Sequence, residues 1–347
     1  MSPNLNLHPN ANPELKAMPA LPPDHMSKLL VLGGTGFVGR SVCERLVARN
    51  GGASGRISVP SRHPQRAAHL RSLPTLEVLP ANIHNNDELL RLVSGCDAVI
   101  NLVAVLHGSE AEFQKAHVEL PRRLASACKA AGVQRVVHVS ALGVGLDNSG
   151  SEPSRYLRSK AAGERVLKDA HLDLTLLRPS VIFGEHDKFI NLFAQLQSVL
   201  PVVPLAGEQA RFQPVWVEDV ARAIVACLDT PASIGTTIEC AGPTVYTLGD
   251  LVRRAGLWAG HERKVFGIPD FAARLQARTM ELMPGQPLMS RDNLDSMKTP
   301  NVANVGMAGL DSLGINAAAI ESVMPAVLAK RSGVARLDPL RREQHKE

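Results

Sequence analysis

The chain has 347 residues, 45% of them apolar and 3% aromatic, with 38 Lys and Arg against 33 Asp and Glu for a formal charge of +5. That length can bury one large core or two modest ones. No run of about 18 uninterrupted apolar residues occurs, so no transmembrane helix is expected, and sparse aromatics without basic interleaving argue against nucleic-acid binding. Cys43, Cys96, Cys128, Cys227 and Cys240 are scattered and odd in number, which suits reduced core residues in a cytosolic protein. No C-x-x-C or H-E-x-x-H spacing appears among them or the twelve histidines, so no metal site is expected.

Residues 1–25 carry six prolines, four asparagines and no arginine, and read as a disordered N-terminal extension. The zone lacks the basic start and apolar stretch of a secretory signal and the arginines of a mitochondrial presequence. Met26-Ser27-Lys28 directly precedes the first apolar strand, so translation is expected to start at Met26, a point that the intact mass of the native protein decides.

The run Leu29-Leu30-Val31-Leu32 then enters the turn Gly33-Gly34-Thr35-Gly36-Phe37-Val38-Gly39 and a helix whose buried stripe is Val38, Val42 and Leu46. One glycine turns tightly after a strand, one lets the backbone approach a pyrophosphate, and one lets the helix pack on the strand. Unpaired N–H groups at the helix start then face the anion. Gly33, Thr35, Gly36, Phe37, Val38 and Gly39 are the candidate phosphate cradle. The spacing Gly33-x-x-Gly36-x-x-Gly39 resembles that of the short-chain dehydrogenase/reductase superfamily.

Strand and helix signals alternate from here, which favours a parallel sheet with helices on both faces. Strands are expected at 57–60, 76–81, 98–104, 135–140 and 172–177, with helices near 87–94, 112–131 and 154–170 and Gly132 as a helix stop. The second strand ends in Ser61-Arg62-His63-Pro64-Gln65-Arg66, without the carboxylate that holds a ribose 2′-OH in NAD sites. Arg62 and Arg66, with the Ser61 hydroxyl, suit a 2′-phosphate instead, so NADP(H) is preferred to NAD(H).

Tyr156 and Lys160 stand four residues apart on the helix after the fifth strand, on one face. A free phenol has a pKa near 10 and becomes a useful acid/base at neutral pH only when a neighbouring ammonium favours the phenolate. Lys160 is placed to supply that field and to hold the nicotinamide ribose.

These motifs in this order resemble the extended, epimerase/dehydratase-like branch of the superfamily, and more narrowly the bacterial relatives of the nucleotide-binding accessory subunit of respiratory complex I. The resemblance covers most of residues 27–330. It implies that Asn82-Ile83 lies against adenine, and that Leu102-Val103-Ala104, in the run from Asn101, lies beside the cofactor. It also takes in Val139-Ser140-Ala141-Leu142-Gly143, Arg178-Pro179-Ser180-Val181-Ile182-Phe183-Gly184 and Pro214–Ala221, and places Pro179 and Val181 at the cofactor. Active relatives polarise the substrate oxygen with a Ser or Thr on the fifth strand. Here Ala141 takes that place and Ser140 precedes it, so Ser140 is a candidate catalytic residue that alternation along the strand turns from the cleft.

The expected fold is therefore α/β: a Rossmann doubly wound parallel sheet in residues 26–185, plus part of 210–245, with a smaller C-terminal α/β substrate or partner region in 186–330. There Phe183–Asp187 ends the sixth strand, 189–200 packs against the cofactor domain, and Asp219 caps a helix over 220–228. Thr247 starts another helix. Residues 262–300 show weak periodicity, and Met280, Met283 and Met289 read as gap-fillers. Residues 331–347 form a basic tail, six Lys and Arg standing against three acids from 330 onward, and such a tail is a solvated end or a steering patch for an acidic partner or anionic membrane face. Two functions follow: a dinucleotide-binding accessory or assembly factor that partners complex I subunits or quinone-pathway proteins, or an NADPH-dependent reductase or epimerase with Tyr156 as proton donor. Either is expected in the cytoplasm, the first also peripherally at the inner membrane.

Overall fold

A computed structural model describes residues 26–52, 55–145, 154–281 and 289–331. The expected extension 1–25, the tail beyond Arg331, and Met283 lie outside the described residues. The first half runs β1 (Lys28–Leu32), α1 (Phe37–Arg49), β2 (Arg56–Ser61), β3 (Leu76–Pro80), α2 (Asn86–Val93), β4 (Ala98–Asn101), α3 (Glu110–Gln114), α4 (Leu120–Ala131), β5 (Arg135–Val139), α5 (Arg155–Lys168) and β6 (Asp173–Pro179). The second half runs β7 (Ile182–Phe183), α6 (Ile190–Val199), β8 (Val202–Ala206), β9 (Arg211–Phe212), β10 (Val215–Trp216), α7 (Val217–Asp229), β11 (Thr237–Cys240), β12 (Tyr246–Thr247), α8 (Leu248–Trp258), β13 (Lys264–Ile268), α9 (Asp270–Glu281), α10 (Arg291–Ser296) and α11 (Ile320–Arg331).

Seven strands form one parallel sheet in the order β3-β2-β1-β4-β5-β6-β11. The order reverses between β1 and β4, and in open α/β sheets a ligand binds beyond the strand C-termini at such a reversal. Near-continuous apolar strands are buried on both faces, as a parallel sheet requires. One core cluster joins Leu29, Val31, Val42 and Leu46 to Val220 and Ile224 of α7, and the other joins Leu30, Leu32 and Val99 to Leu120, Leu124 and Leu167. A third cluster holds Phe183, Ile190, Phe193, Val203, Leu251, Val252, Met324 and Leu328. Among the described residues no helix is long and apolar enough to cross a membrane.

Several expected boundaries move. Strand β4 stops at Asn101 because its side chain turns back to accept from the Val103 amide at 3.2 Å. The long helix expected over 112–131 is broken by a π-helical turn at Lys115–Glu119, since Pro121 has no N–H for the His117 carbonyl and an α-helical ladder would lose that bond. Gly132 does stop α4, in the left-handed region. Residues 182–183 are not the end of the sixth strand but a separate strand paired with β10. Helix α6 packs in the third cluster with α8 rather than on the cofactor sheet. Asp219 is not a cap: α7 starts at Val217, and the buried Asp219 carboxylate accepts from the Ala318 amide at 2.7 Å and pairs with Arg222. The stretch 262–300, weakly periodic in sequence, holds β13, α9 and α10.

Candidate nucleotide site and the buried polar cluster beneath it

The glycine turn sits at the C-terminal end of β1, where its three spaced glycines meet different constraints. Gly33 holds φ +81°, and a Cβ there would lie 3.1 Å from the Leu102 backbone. Gly36 is the N-cap of α1, whose first turn carries no acidic residue and receives no side-chain cap. At Gly39 a Cβ would stand 2.4 Å from the Gly33 carbonyl oxygen and 2.5 Å from the Gly34 backbone. Helix α1 therefore starts in contact with the turn, its free N–H groups directed outward. A pyrophosphate suits that arrangement, because backbone donors and the positive end of the dipole converge where no Cβ intrudes. Gly39→Ala is expected to weaken nucleotide binding at least about tenfold, or ~1.4 kcal/mol. Gly36→Ala, whose Cβ would meet only the Gly33 oxygen at 3.2 Å, should be milder. Isothermal titration of both variants checks the order.

Next to the turn, at the ends of β2 and β3, lies an open cavity of about 490 Å³ lined by Ser61, Arg62, Pro80, Ala81, Asn82, His84, Glu88 and Lys115. That volume is within the range of small-ligand sites. Ser61, Arg62 and Asn82 thus come together as candidate ribose and adenine contacts. Arg66 stays outside, exposed on the short 3₁₀ turn Pro64–Leu70. Ile83 is half-buried against the second core cluster. Leu102 and Val103 are half-buried between sheet and surface, and Ala104 is exposed. Thr35, Phe37 and Val38 are half-buried along the same rim.

The second constellation lies at the C-terminal end of β5. Tyr156, in the first turn of α5, is half-buried, its ring edge-on to Phe113 and His117 at centroid distances of 6.1 and 5.5 Å. Lys160, one turn on, is only 2% exposed, and its Nζ donates to the Val139 carbonyl at 3.1 Å. Burial pulls the Lys160 ammonium down to about 8, against a weaker upward pull from Glu164. The expected activation of the phenol does not appear: burial alone pushes Tyr156 up, with no lowering contribution from Lys160. Desolvation is the cause that acts on the phenol here.

Ser140 is buried and its Oγ has no hydrogen-bond partner among the described residues, while its amide donates to Leu177 at 2.7 Å. Ala141 packs with Val144, Leu157 and Ala161. The Pro179 carbonyl accepts from Leu142, and the Val181 amide donates to Asn301 Oδ1 at 2.9 Å. Asn301 also accepts from the Ser180 hydroxyl at 2.6 Å, and Thr299 sits against Gly143. Thr299 and Asn301 therefore lie at the C-terminal ends of β5 and β6. Asp292, from the same part of the chain, is buried and accepts from the amides of Arg155 at 2.7 Å and Tyr156 at 3.2 Å. It joins the Ser154 hydroxyl, which accepts from Leu157, in satisfying the start of α5.

His117 and His138 belong to none of the sequence motifs, and His138 meets Asn101, the first residue of the run expected beside the cofactor. The Val105 amide donates to His117 Nε2 at 3.0 Å, which makes Nδ1 the protonated nitrogen facing Ser159 Oγ at 2.8 Å, and Ser159 donates on to the Tyr156 carbonyl. His138 Nδ1 accepts from the Asn101 amide group at 3.1 Å. Burial, reinforced by Lys160, pulls His117 down to about 3 and holds His138 well below the ordinary imidazole value. Lone histidines 21 residues apart carry no sequence signal for such a cluster; only the π turn in front of Pro121 marks the place. Among the described residues no three His, Cys, Asp or Glu side chains converge as metal ligands.

A seven-stranded sheet reversing at β1/β4, a glycine cradle under a helix start, and a Tyr–Lys pair on the helix after β5 define a Rossmann-type nucleotide-binding protein of the short-chain dehydrogenase/reductase kind. The chain belongs to the NAD dependent epimerase/dehydratase family, whose sequence profile matches residues 29–246. It is similar to the mitochondrial NADH dehydrogenase [ubiquinone] 1 alpha subcomplex subunit 9 of Mus musculus, 32% identical over 302 residues that span 84% of this chain and 77% of the relative. It is also similar to the ceramide reductase of Caulobacter vibrioides, 29% identical over 251 residues covering 71% of this chain and 75% of that one. In fold it matches the NADPH-dependent quinone oxidoreductase of Escherichia coli solved with NADPH, with a TM-score of 0.68 at 18% identity over 89% of this chain and 99% of the other.

Proposed function

We propose that this chain is an NAD(P)H-binding accessory or assembly factor of a respiratory NADH:quinone oxidoreductase, which keeps its nucleotide as a structural ligand and does not turn it over. The observation that carries this reading is the state of the Tyr–Lys pair. Burial raises the Tyr156 phenol with no lowering from Lys160, and the family resemblance implies that Ala141 takes the position where an active relative would carry a hydroxyl. The similarity to the complex I subunit named above, which extends over most of both chains, supports the choice of partner. NADP(H) is the preferred nucleotide, because the end of β2 offers Ser61 and Arg62 and no carboxylate.

When bound, the dinucleotide is a hydride donor or acceptor. The α1 N-terminus and Gly33–Gly39 would hold its pyrophosphate, Ser61, Arg62, Asn82 and Ile83 its adenosine end, and Leu102, Val103, Ala104, Pro179 and Val181 the walls toward the nicotinamide. Lys160 orients the ribose. A reductase is the second reading, favoured by the unpartnered Oγ of Ser140, a buried hydroxyl at the end of β5. Protein purified from native membranes should carry NADP(H) and complex I subunits, and should leave NADPH unoxidised across a panel of carbonyls and quinones. Turnover that Tyr156→Phe abolishes would overturn the accessory reading in favour of the reductase.

A further inference from the structure

The cavity beside the glycine turn contains a cation that comes from neither β2 nor the loop after it. Lys115 opens the π turn between α3 and α4, distant in sequence from the end of β2, and it lines the same cavity as Ser61 and Arg62. Three cations surround His84, which also lines the cavity: burial lowers its imidazole first, followed by Lys115, Arg62 and Arg123 in that order. Arg123 is occupied, donating to the His84 carbonyl at 3.1 Å and to Asn86 Oδ1 at 2.8 Å, with Glu119 at 3.9 Å. Lys115 and Arg62 form no ion pair among the described residues. The one carboxylate of the lining, Glu88, accepts from the Asn82 amide at 2.7 Å, which holds it in the turn after β3.

Two unpaired cations that face one cavity next to a hydroxyl suit a dianion better than a neutral ribose. We propose that Lys115, paired across the cavity with Arg62, holds the 2′-phosphate of NADP(H) and sets the preference for it over NAD(H). Arg66, exposed outside the cavity, takes no part. The proposal rests on the NADP(H) reading above, and it adds a determinant that the β2 end alone does not contain. The π turn gives it a structural reason. The extra residue in the helix rotates Lys115 relative to α4, so that Lys115 faces the cavity while His117, two residues on, is buried beneath Tyr156.

Affinities of the full chain for NADPH and NADH, measured by titration calorimetry with Lys115→Met, Lys115→Arg and Arg66→Ala, test the assignment. Lys115→Met should weaken NADPH about tenfold, as expected for loss of one charge-assisted contact, while NADH changes less than about twofold. It should also flatten the salt dependence of NADPH binding. Lys115→Arg should retain the preference, and Arg66→Ala should match the parent chain. Equal losses for both nucleotides would make Lys115 an adenine contact and overturn the proposal while leaving the NADP(H) reading intact. No preference for NADPH in the parent chain would instead overturn that reading, and the proposal with it. Lys115 is exposed, so unchanged melting temperatures are expected for these variants and keep the comparison clean.

Discussion

Gly163→Ala is expected to lower the melting temperature by roughly 5–10 °C, which for a chain of this size corresponds to about 2–4 kcal/mol. In an exposed helix the same change would stabilise by up to about 1 kcal/mol. Here the added Cβ would stand 1.9 Å from the His117 carbonyl oxygen, with the ring of Pro121 next at 3.7 Å. That oxygen belongs to the π turn and points at α5 because Pro121 leaves it without an α-helical donor. Relief requires α4 and α5 to separate, which opens the second core cluster along Leu124 and Leu167 and moves Ser159 from His117. Thermal unfolding followed by circular dichroism measures the loss. An unchanged or raised midpoint would show that the two helices are not in this contact.

The second large effect is acid destabilisation. His117 is held at about 3 in the fold against an ordinary 6.5, so the unfolded chain binds the additional proton between those values. Stability is therefore complete above about pH 6.5 and falls steadily as pH drops toward 3. At about pH 5 the expected loss is about 2 kcal/mol for the His117 imidazole, and His138, also lowered by its burial, acts in the same direction. Lys160 acts in a different window. With its ammonium depressed to about 8 from 10.5, the fold gains stability as pH rises between those values. Urea unfolding at about pH 7.5 and pH 5 measures the acid limb, and His117→Asn should remove one of the two increments. A variant with the same pH slope as the parent would show that His117 is protonated in the fold.

The part of this architecture written locally was legible in the sequence. The β1 turn is specified by glycines of which Gly36 and Gly39 answer to backbone within the turn itself, while Gly33 holds a positive φ beside the distant Leu102, and Gly132 and Thr247 act through their own capping geometry. The Tyr156–Lys160 pair follows from helical periodicity. What periodicity does not contain is desolvation: the field around Tyr156 depends on Phe113, His117 and the burial of Lys160 in three dimensions. Helical periodicity therefore points to an activated phenol where the fold leaves a raised one. Asp219 failed as a cap for a similar reason. Its carboxylate is bonded to Ala318, almost a hundred residues on, and no local rule reports such a partner. The π turn hides within a pattern of 3.6, which tolerates one extra residue without losing its apolar face, so that Pro121 is its one mark in the sequence.

Asp292 extends the influence of the C-terminal region into the nucleotide cleft. Its carboxylate holds the amides that open α5, so whatever grips α10 from outside also acts on the helix that carries Tyr156 and Lys160. Thermodynamic linkage then runs both ways. If a partner docked there and shifted Asp292, it would change how tightly a dinucleotide is held, and the dinucleotide would change that partner's affinity by the same factor. Through that carboxylate the start of α5 is tied to a segment more than a hundred residues further along the chain.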